Sequence, residues 1–206
     1  DITVSHLSFS YTGSIGKKAL DDVSLSIPAG KTTAIVGESG SGKTTLLKLL
    51  LKFYAPTEGT ISYGAADLNG CSARSVRKAA GIVMQDSFVF SDTIRNNIVL
   101  GEPYDASRLG QAISAACLDS YIEGLPVGVE TKIGSEGIGV SGGERQRIMI
   151  ARAVYKRPQY LMMDEATSSL DAENERMITE NIARECRGRT LLVIAHRLST
   201  VKNADN

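Results

Sequence analysis

Val36-Gly37-Glu38-Ser39-Gly40-Ser41-Gly42-Lys43-Thr44-Thr45 joins an apolar run, Ala34-Ile35-Val36, to an amphipathic one, Thr45-Leu46-Leu47-Lys48-Leu49-Leu50. The order reads as the end of a buried strand, a glycine loop and the start of a helix. Its spacing fits G-x-x-x-x-G-K-[ST], with Gly37, Gly42, Lys43 and Thr44 in the fixed places. Small residues at Ser39, Gly40, Ser41 and Gly42 allow successive backbone N–H groups to turn inward around phosphate oxygens. The following helix directs its positive end at the same anion. Lys43 adds a full charge for the outer phosphates, and the Thr44 hydroxyl suits magnesium. A Gly/Ser-rich loop could merely reverse the chain, but the strand before it and the helix after it favour a nucleotide-phosphate site.

At 206 residues and 42% hydrophobic, the chain can bury one sizeable core. Lys+Arg and Asp+Glu both number 23, so no broad basic surface for nucleic acid is expected. No apolar stretch approaches the roughly 18 residues of a spanning helix, and the N-terminus lacks the pattern of a signal peptide. Cys71, Cys117 and Cys186 are scattered without metal-ligand spacing and read as reduced thiols. Both ends read as cuts within a longer polypeptide.

Taken in order, residues 1 to 31 read as a small antiparallel unit. Leu7-Ser8-Phe9-Ser10-Tyr11 and Val23-Ser24-Leu25-Ser26-Ile27 each alternate as half-buried strands do. Tyr11 at the end of its strand is compatible with ordinary packing. Beyond the turn at Pro56-Thr57-Glu58-Gly59, Thr60-Ile61-Ser62-Tyr63 is a further strand. Ser72 caps a short helix over Ala73 to Ala79, which Gly81 is expected to stop. Apolar runs at Ala34-Ile35-Val36, Ile82-Val83-Met84, Tyr160-Leu161-Met162-Met163 and Leu191-Leu192-Val193-Ile194-Ala195 hand over to Gly37, Gln85, Asp164 and His196. Runs apolar on both faces suit a parallel sheet covered by helices, and ligands of such sheets lie outside the carboxyl ends of the strands. The expected architecture is α/β, a P-loop NTPase fold with a mainly parallel core sheet. Residues 1–85 and 158–206 supply that core and the antiparallel β subdomain, and a mostly helical subdomain is inserted at about 86–157.

Asp164 at the end of an apolar strand is the usual partner of a phosphate loop, holding Mg2+ directly or through water. Glu165 has the chemistry to orient or deprotonate an attacking water. Gln85 and His196 are individually weak signals, strengthened by their place at strand ends. Val140-Ser141-Gly142-Gly143-Glu144 is a second anion-site candidate, because Ser141 caps a long helix whose first turn carries two glycines. Lys43 already belongs to a complete phosphate site. In an isologous dimer each Ser141 helix instead caps the nucleotide held by the other subunit.

Together these residues resemble the nucleotide-binding domain of ATP-binding cassette (ABC) transporters, over essentially the whole chain. Gly37 to Thr44 matches the Walker A motif, Tyr160 to Asp164 Walker B, and Glu165 the catalytic glutamate. Val140 to Glu144 matches the signature usually written Leu-Ser-Gly-Gly-Gln, with Val and Glu at its ends. Ser169-Leu170-Asp171 resembles the D-loop, Gln85 the Q-loop and His196 the H-loop switch. Tyr11 then resembles the aromatic residue that stacks on adenine. The resemblance implies ATP and Mg2+ as cofactors. It implies nucleotide contacts at Tyr11, Gly37, Ser39 to Thr45, Ser141, Gly142, Gly143 and Asp171, metal contacts at Thr44, Gln85 and Asp164, and catalysis by Glu165, His196 and Gln85.

The exporter branch is the nearest likeness. Phe88-Val89-Phe90-Ser91-Asp92-Thr93-Ile94-Arg95-Asn96-Asn97-Ile98 resembles the exporter segment after the Q-loop. Thr131-Lys132-Ile133-Gly134-Ser135-Glu136-Gly137 resembles the x-loop, although the family commonly has Glu where Ser135 stands. The likeness implies a motor at the cytoplasmic face of the inner membrane. Its expected partners are a second nucleotide-binding domain, joined through ATP, and a transmembrane domain in the same polypeptide. Two alternatives fit less well. Genome-maintenance relatives insert long coiled coils between Lys43 and Ser141, where this chain has no room for one, and a degenerate, non-hydrolysing cassette would not need both Glu165 and His196.

Overall fold

The computed structural model describes residues 1–13, 17–85, 88–167, 169–195 and 204–206. Near the N-terminus, β1 (Ile2–Phe9) pairs antiparallel with β2 (Leu20–Ile27), with Ile2 opposite Ile27 and Val4 opposite Leu25. The buried positions of β1 change parity, from Ile2 and Val4 to Leu7 and Phe9. The register shifts between Val4 and Leu7, and His6, at φ 51°, takes up the extra residue of this bulge. Gly59 lies across from it at φ 82°, where a Cβ would strike the His6 carbonyl. β3 (Thr32–Ile35) leads through the glycine loop to α1 (Lys43–Leu50). β4 (Glu58–Tyr63) then covers the other side of β1 and turns into β5 (Ala66–Asp67), giving the order β2-β1-β4-β5.

α2 (Ala73–Ala79) starts at Ser72, whose hydroxyl accepts the Ser75 N–H, and passes without a loop into β6 (Ala80–Val83). Gly81 therefore does not stop the helix, contrary to the expectation from its position in the sequence. It sits inside the strand, where a Cβ would come within 2.6 Å of Pro158 Cγ and 2.8 Å of the Ala153 carbonyl oxygen. Close approach, not helix termination, requires glycine there. Next come β7 (Asp92–Thr93), α3 (Ile94–Val99), α4 (Ala106–Ala115), α5 (Asp119–Glu123), β8 (Lys132–Ile133) and α6 (Gly142–Tyr155). β9 (Tyr160–Asp164), α7 (Ala172–Glu185) and β10 (Thr190–Ile194) complete the chain's elements among the described residues.

The second sheet is parallel throughout, in the order β3-β10-β9-β6. β10 is buried at all five positions, as a central strand covered on both faces must be. One face meets α1, whose Leu46, Leu47, Leu49 and Leu50 fill the space between β1 and the sheet residues Met162, Leu192 and Ile194. An eight-residue helix is too short to persist alone in water. Burial of its leucines, each contributing about 1.5–3 kcal/mol, holds it in place. The other face, with Leu161, Met163, Leu191 and Val193, shares a cluster with Ile94, Ile98, Ile148, Ile150 and Ile178. The helical stretch thus has no core of its own, and its helices are seated on the sheet that carries the phosphate loop. No helix among the described residues is long and apolar enough to cross a membrane.

Tyr155, fully buried at the end of α6, donates to the Pro103 carbonyl oxygen at 2.6 Å and accepts the Asp105 N–H at 2.9 Å. Tyr155→Phe removes both bonds, leaving the Pro103 carbonyl and the Asp105 N–H without their shared partner. It should lower the unfolding free energy by about 1–3 kcal/mol, read as a shifted urea midpoint. An unchanged midpoint would mean that water replaces the hydroxyl at no cost.

Candidate functional site

Because the four parallel strands point the same way, their carboxyl ends converge at one edge of the sheet. β3 ends at Ile35, one residue before the apolar run does, and Val36 is 58% exposed. The loop beyond it has left-handed glycines at Gly40 (φ 79°) and Gly42 (φ 92°). A Cβ at Gly42 would run into the Ala19 carbonyl oxygen. No side chain caps the N-terminus of α1, so its first N–H groups are left for an anion. Lys43, only 7% exposed, lays its ammonium across the loop. It donates to the carbonyls of Gly37 at 2.8 Å and Glu38 at 2.7 Å, and to Ser41 Oγ at 3.4 Å. Carbonyl oxygens hold the cation where phosphate oxygens could take it over.

The Thr44 hydroxyl donates to Asp164 Oδ2 at 2.6 Å. Asp164 is fully buried, and its Oδ1 has no hydrogen-bond partner among the described residues. Burial pushes the Asp164 carboxyl up from its ordinary value, and the neighbouring Glu165 adds to this. The Thr44 bond, Lys43 and Lys48 pull the other way. A buried carboxylate oxygen without a donor, beside a threonine hydroxyl, suits a hard cation such as Mg2+ with oxygen ligands and bound waters. The residues present fit that ion.

A cavity of 340 Å³ lies over the loop, and Tyr11, Ser39, Gly40, Gly42, Lys43, Thr44, Thr45, Gln85 and Glu165 all line it. The structure therefore brings together most of the residues singled out in the sequence. Glu165 takes φ 50°, left-handed and uncommon for a residue with a side chain, at a cost of roughly 1–2 kcal/mol. Such conformations persist where the surroundings over-determine them. Tyr11 donates or accepts a 3.0 Å hydrogen bond with Thr45 Oγ1 and stands edge-on to Phe9 and Tyr54, with ring centroids 5.0 and 5.4 Å away. Packing and a place at the cavity coexist in this one ring. Lys17 and Lys18 also line the cavity. Sequence reasoning passed over them, although adjacent lysines just before β2 were a visible signal.

Other expected residues lie apart from that cavity. Ser141, Gly142 and Gly143 form the start of α6 outside it, closed by reciprocal bonds. Ser141 Oγ accepts the Glu144 N–H at 3.3 Å, and the Ser141 N–H donates to Glu144 Oε2 at 2.7 Å. A Cβ at Gly142 or Gly143 would meet Ser169 and Leu170 only at ordinary contact distances, 3.4 Å and beyond. Neither glycine has the positive φ that excludes other residues. Nothing among the described residues demands them, though each weakens the helix by roughly 1 kcal/mol relative to alanine. Asp171 caps α7, accepting the N–H groups of Glu173 and Asn174, and these bonds hold its carboxyl below the ordinary value. His196 lies outside the described residues.

The segment after Gln85 is tied down by Asn97 and Arg152. Asn97 Nδ2 donates to the carbonyls of Phe90 and Thr93, and Asn97 Oδ1 accepts the Phe90 N–H. The Arg152 guanidinium donates to the carbonyls of Asn97 and Phe88, and desolvation lowers its pKa to about 10. At the x-loop, the Glu136 N–H donates to Ser91 Oγ at 3.0 Å, and Ser135 Oγ reaches the same hydroxyl at 3.4 Å.

Comparison with known proteins agrees with this geometry. A family model described as ABC transporter matches residues 20–168. An ATP-dependent lipid A-core flippase of Ralstonia nicotianae is 46% identical over 209 residues, covering 100% of this chain and 35% of that protein. Heavy metal tolerance factor 1 of Caenorhabditis elegans is 44% identical over 206 residues, covering 99% of this chain and 25% of that one. A solved structure of a bacterial Atm1-family ABC exporter with ATP bound superposes with a TM-score of 0.93 at 39% identity, over 99% of this chain and 36% of the exporter. A glycine loop and an acidic strand end on one parallel sheet define a P-loop nucleotide-binding protein. The chain belongs to the ABC transporter family, as an ATPase domain of the exporter type. It spans about a third or less of the length of these relatives.

The raised pKa of Asp164 has a consequence for stability. The native chain holds this proton more tightly than the unfolded chain, so the group's favourable contribution is complete below the unfolded value, near 4, and is lost as pH rises through the native value. Asp164→Asn should therefore raise the melting temperature of the nucleotide-free chain at pH 7.5, by about 2 °C. The gain should shrink towards pH 4, and stabilisation by Mg-ATP should be lost. Thermal unfolding with and without Mg-ATP measures all three. A lower melting temperature without nucleotide would contradict the assigned burial penalty.

Proposed function

We propose that this chain is the motor of a membrane exporter, binding and hydrolysing ATP at the cytoplasmic face of the inner membrane. Two such domains sandwich two ATP molecules, each held between the glycine loop of one copy and the Ser141 helix of the other. The observation that carries this reading is the cavity lined by the uncapped start of α1 with Lys43 and Thr44, by Gln85 and by Glu165, where Thr44 in turn bonds the buried Asp164. Tyr11 offers an aromatic edge or face to adenine, with the phosphates laid along Ser39 to Thr45. Lys43 exchanges the carbonyls of Gly37 and Glu38 for phosphate oxygens. Thr44, Asp164 and Gln85 would hold Mg2+, which supplies charge neutralisation for the phosphate oxygens. Glu165 orients or takes a proton from the attacking water, and His196 is assigned the H-loop switch by the family likeness.

The unexplained glycines at 142 and 143 support a nucleotide from a second copy, because an approaching phosphate needs bare backbone amides. Asp171, next to Ser169 and Leu170, then belongs to the surface facing that copy. A groove of 480 Å³ lined by Met84, Phe88, Phe90, Leu100 and Met149 leaves apolar surface beside Gln85, suited to a transmembrane domain of the same polypeptide. A flippase and an exporter among the relatives support the transport reading.

Lys43→Ala should weaken ATP binding severely, whereas Glu165→Gln should bind ATP as wild type does and lose turnover. One group contacts ground-state phosphates, and the other acts only on the attacking water. Nucleotide affinity and single-turnover hydrolysis test both variants. Equal loss of affinity in the two would overturn the assigned roles.

A further inference from the structure

The loop that leaves β9 is held at both ends by one side chain from α6. Gln146 Nε2 donates to the carbonyl oxygen of Glu165 at 3.2 Å, and Gln146 Oε1 accepts the N–H of Ser169 at 3.0 Å. The two demands are opposite, so the orientation of the amide is fixed by its partners: the Glu165 carbonyl can only accept, and the Ser169 N–H can only donate. On its other side the Glu165 N–H donates to the Ile194 carbonyl of β10 at 3.2 Å. Glu165 is therefore gripped between β10 and α6 in its left-handed conformation, φ 50°. Loss of the α6 contact would free the Glu165 backbone to leave this conformation, and a change in its φ would swing the Cα–Cβ bond and move the carboxylate away from the cavity it lines.

From these contacts we infer that Gln146 is a positioning residue, which aims the Glu165 carboxylate according to the seating of α6. The inference rests on the function proposed for Glu165 and assigns it a control. The same helix begins at Ser141, where the partner's nucleotide is proposed to dock, and farther along sends Arg152 to the Phe88 carbonyl. Gln146 lies between these points, so a displacement of α6 at either end reaches the catalytic carboxylate through two hydrogen bonds. The cleft becomes competent for hydrolysis when α6 is seated, and the carboxylate loses its aim when α6 withdraws.

The test uses the full-length protein and compares kcat, KM and nucleotide affinity for wild type, Gln146→Ala, Gln146→Glu and Glu165→Gln. Misplacement of a catalytic group by about an ångström costs on the order of 100-fold. Gln146→Ala should accordingly lower kcat roughly 10- to 100-fold while ATP affinity stays within about twofold. Gln146→Glu preserves shape and still accepts from Ser169, but while ionised it repels the Glu165 carbonyl. When protonated it donates again. Its kcat relative to wild type should rise as pH falls from about 7 to 5, where a glutamate of ordinary pKa, about 4.3, begins to protonate, whereas the ratio for Gln146→Ala stays flat; a merely structural role would not produce that difference. If Glu165→Gln keeps wild-type turnover, the proposed site and this inference fall together. If it loses turnover while Gln146→Ala keeps it, or if the Gln146→Glu ratio is flat with pH, this inference alone is overturned.

Discussion

The hydrogen bond from Thr44 Oγ1 to Asp164 Oδ2 joins two segments 120 residues apart, and the site exists only where they meet. It can form because β3 and β9 run parallel on either side of β10, so the helix after one and the acid at the end of the other emerge at the same edge. That alignment depends in turn on β10 being buried on both faces, by α1 and the antiparallel sheet on one side and by the helices on the other. Asp164 is held at the floor in an environment that disfavours its charge. Such a cost is tolerated where a cation is to be bound, since the ion satisfies the oxygen that the protein leaves without a donor.

α6 is the second organising element. Its N-terminus carries the two glycines, its middle reaches the loop at Glu165 through Gln146, and Arg152 grips the segment after Gln85 through Asn97 and Phe88. Burial of Arg152 makes this grip sensitive to geometry, because a guanidinium withdrawn from water needs its carbonyl partners. One helix therefore touches three segments to which the sequence assigns function. Since its apolar side belongs to the same cluster as the parallel sheet, the seating of α6 on that sheet sets all three contacts together.

Much of this was legible in the residues themselves. The parallel strands were visible because runs such as Leu191-Leu192-Val193-Ile194-Ala195 have no polar alternation, and the glycine loop because its spacing is rigidly tied to phosphate geometry. Short-range signals of turn and helix end were less dependable. Gly81 read as a helix stop because glycine commonly ends helices, whereas here long-range packing against Pro158 and Ala153 decided its identity. Gln146 and Arg152 were not legible at all. A polar residue within a helical pattern carries no mark of its partners, and those partners are backbone groups 19 and 55 or more residues away. The bulge at His6 was hidden for the same reason, since an extra residue shows only when the opposing strand is in place.

In the proposed mechanism the Ser141 helix is half of a site that one chain leaves incomplete, and Glu144, whose carboxylate occupies the Ser141 N–H, must yield there to a phosphate. A ligand shifts an association equilibrium only through a difference in affinity between the two states, so ATP must bind the paired form better. Light scattering of Glu165→Gln with saturating ATP and no Mg2+ measures this directly. The expected mass is twice the 22.0 kDa of the single chain, falling back to 22.0 kDa when Ser141→Arg is added although ATP still binds. A mass of 22.0 kDa without the Ser141 change, or an undiminished dimer with it, would contradict the composite site.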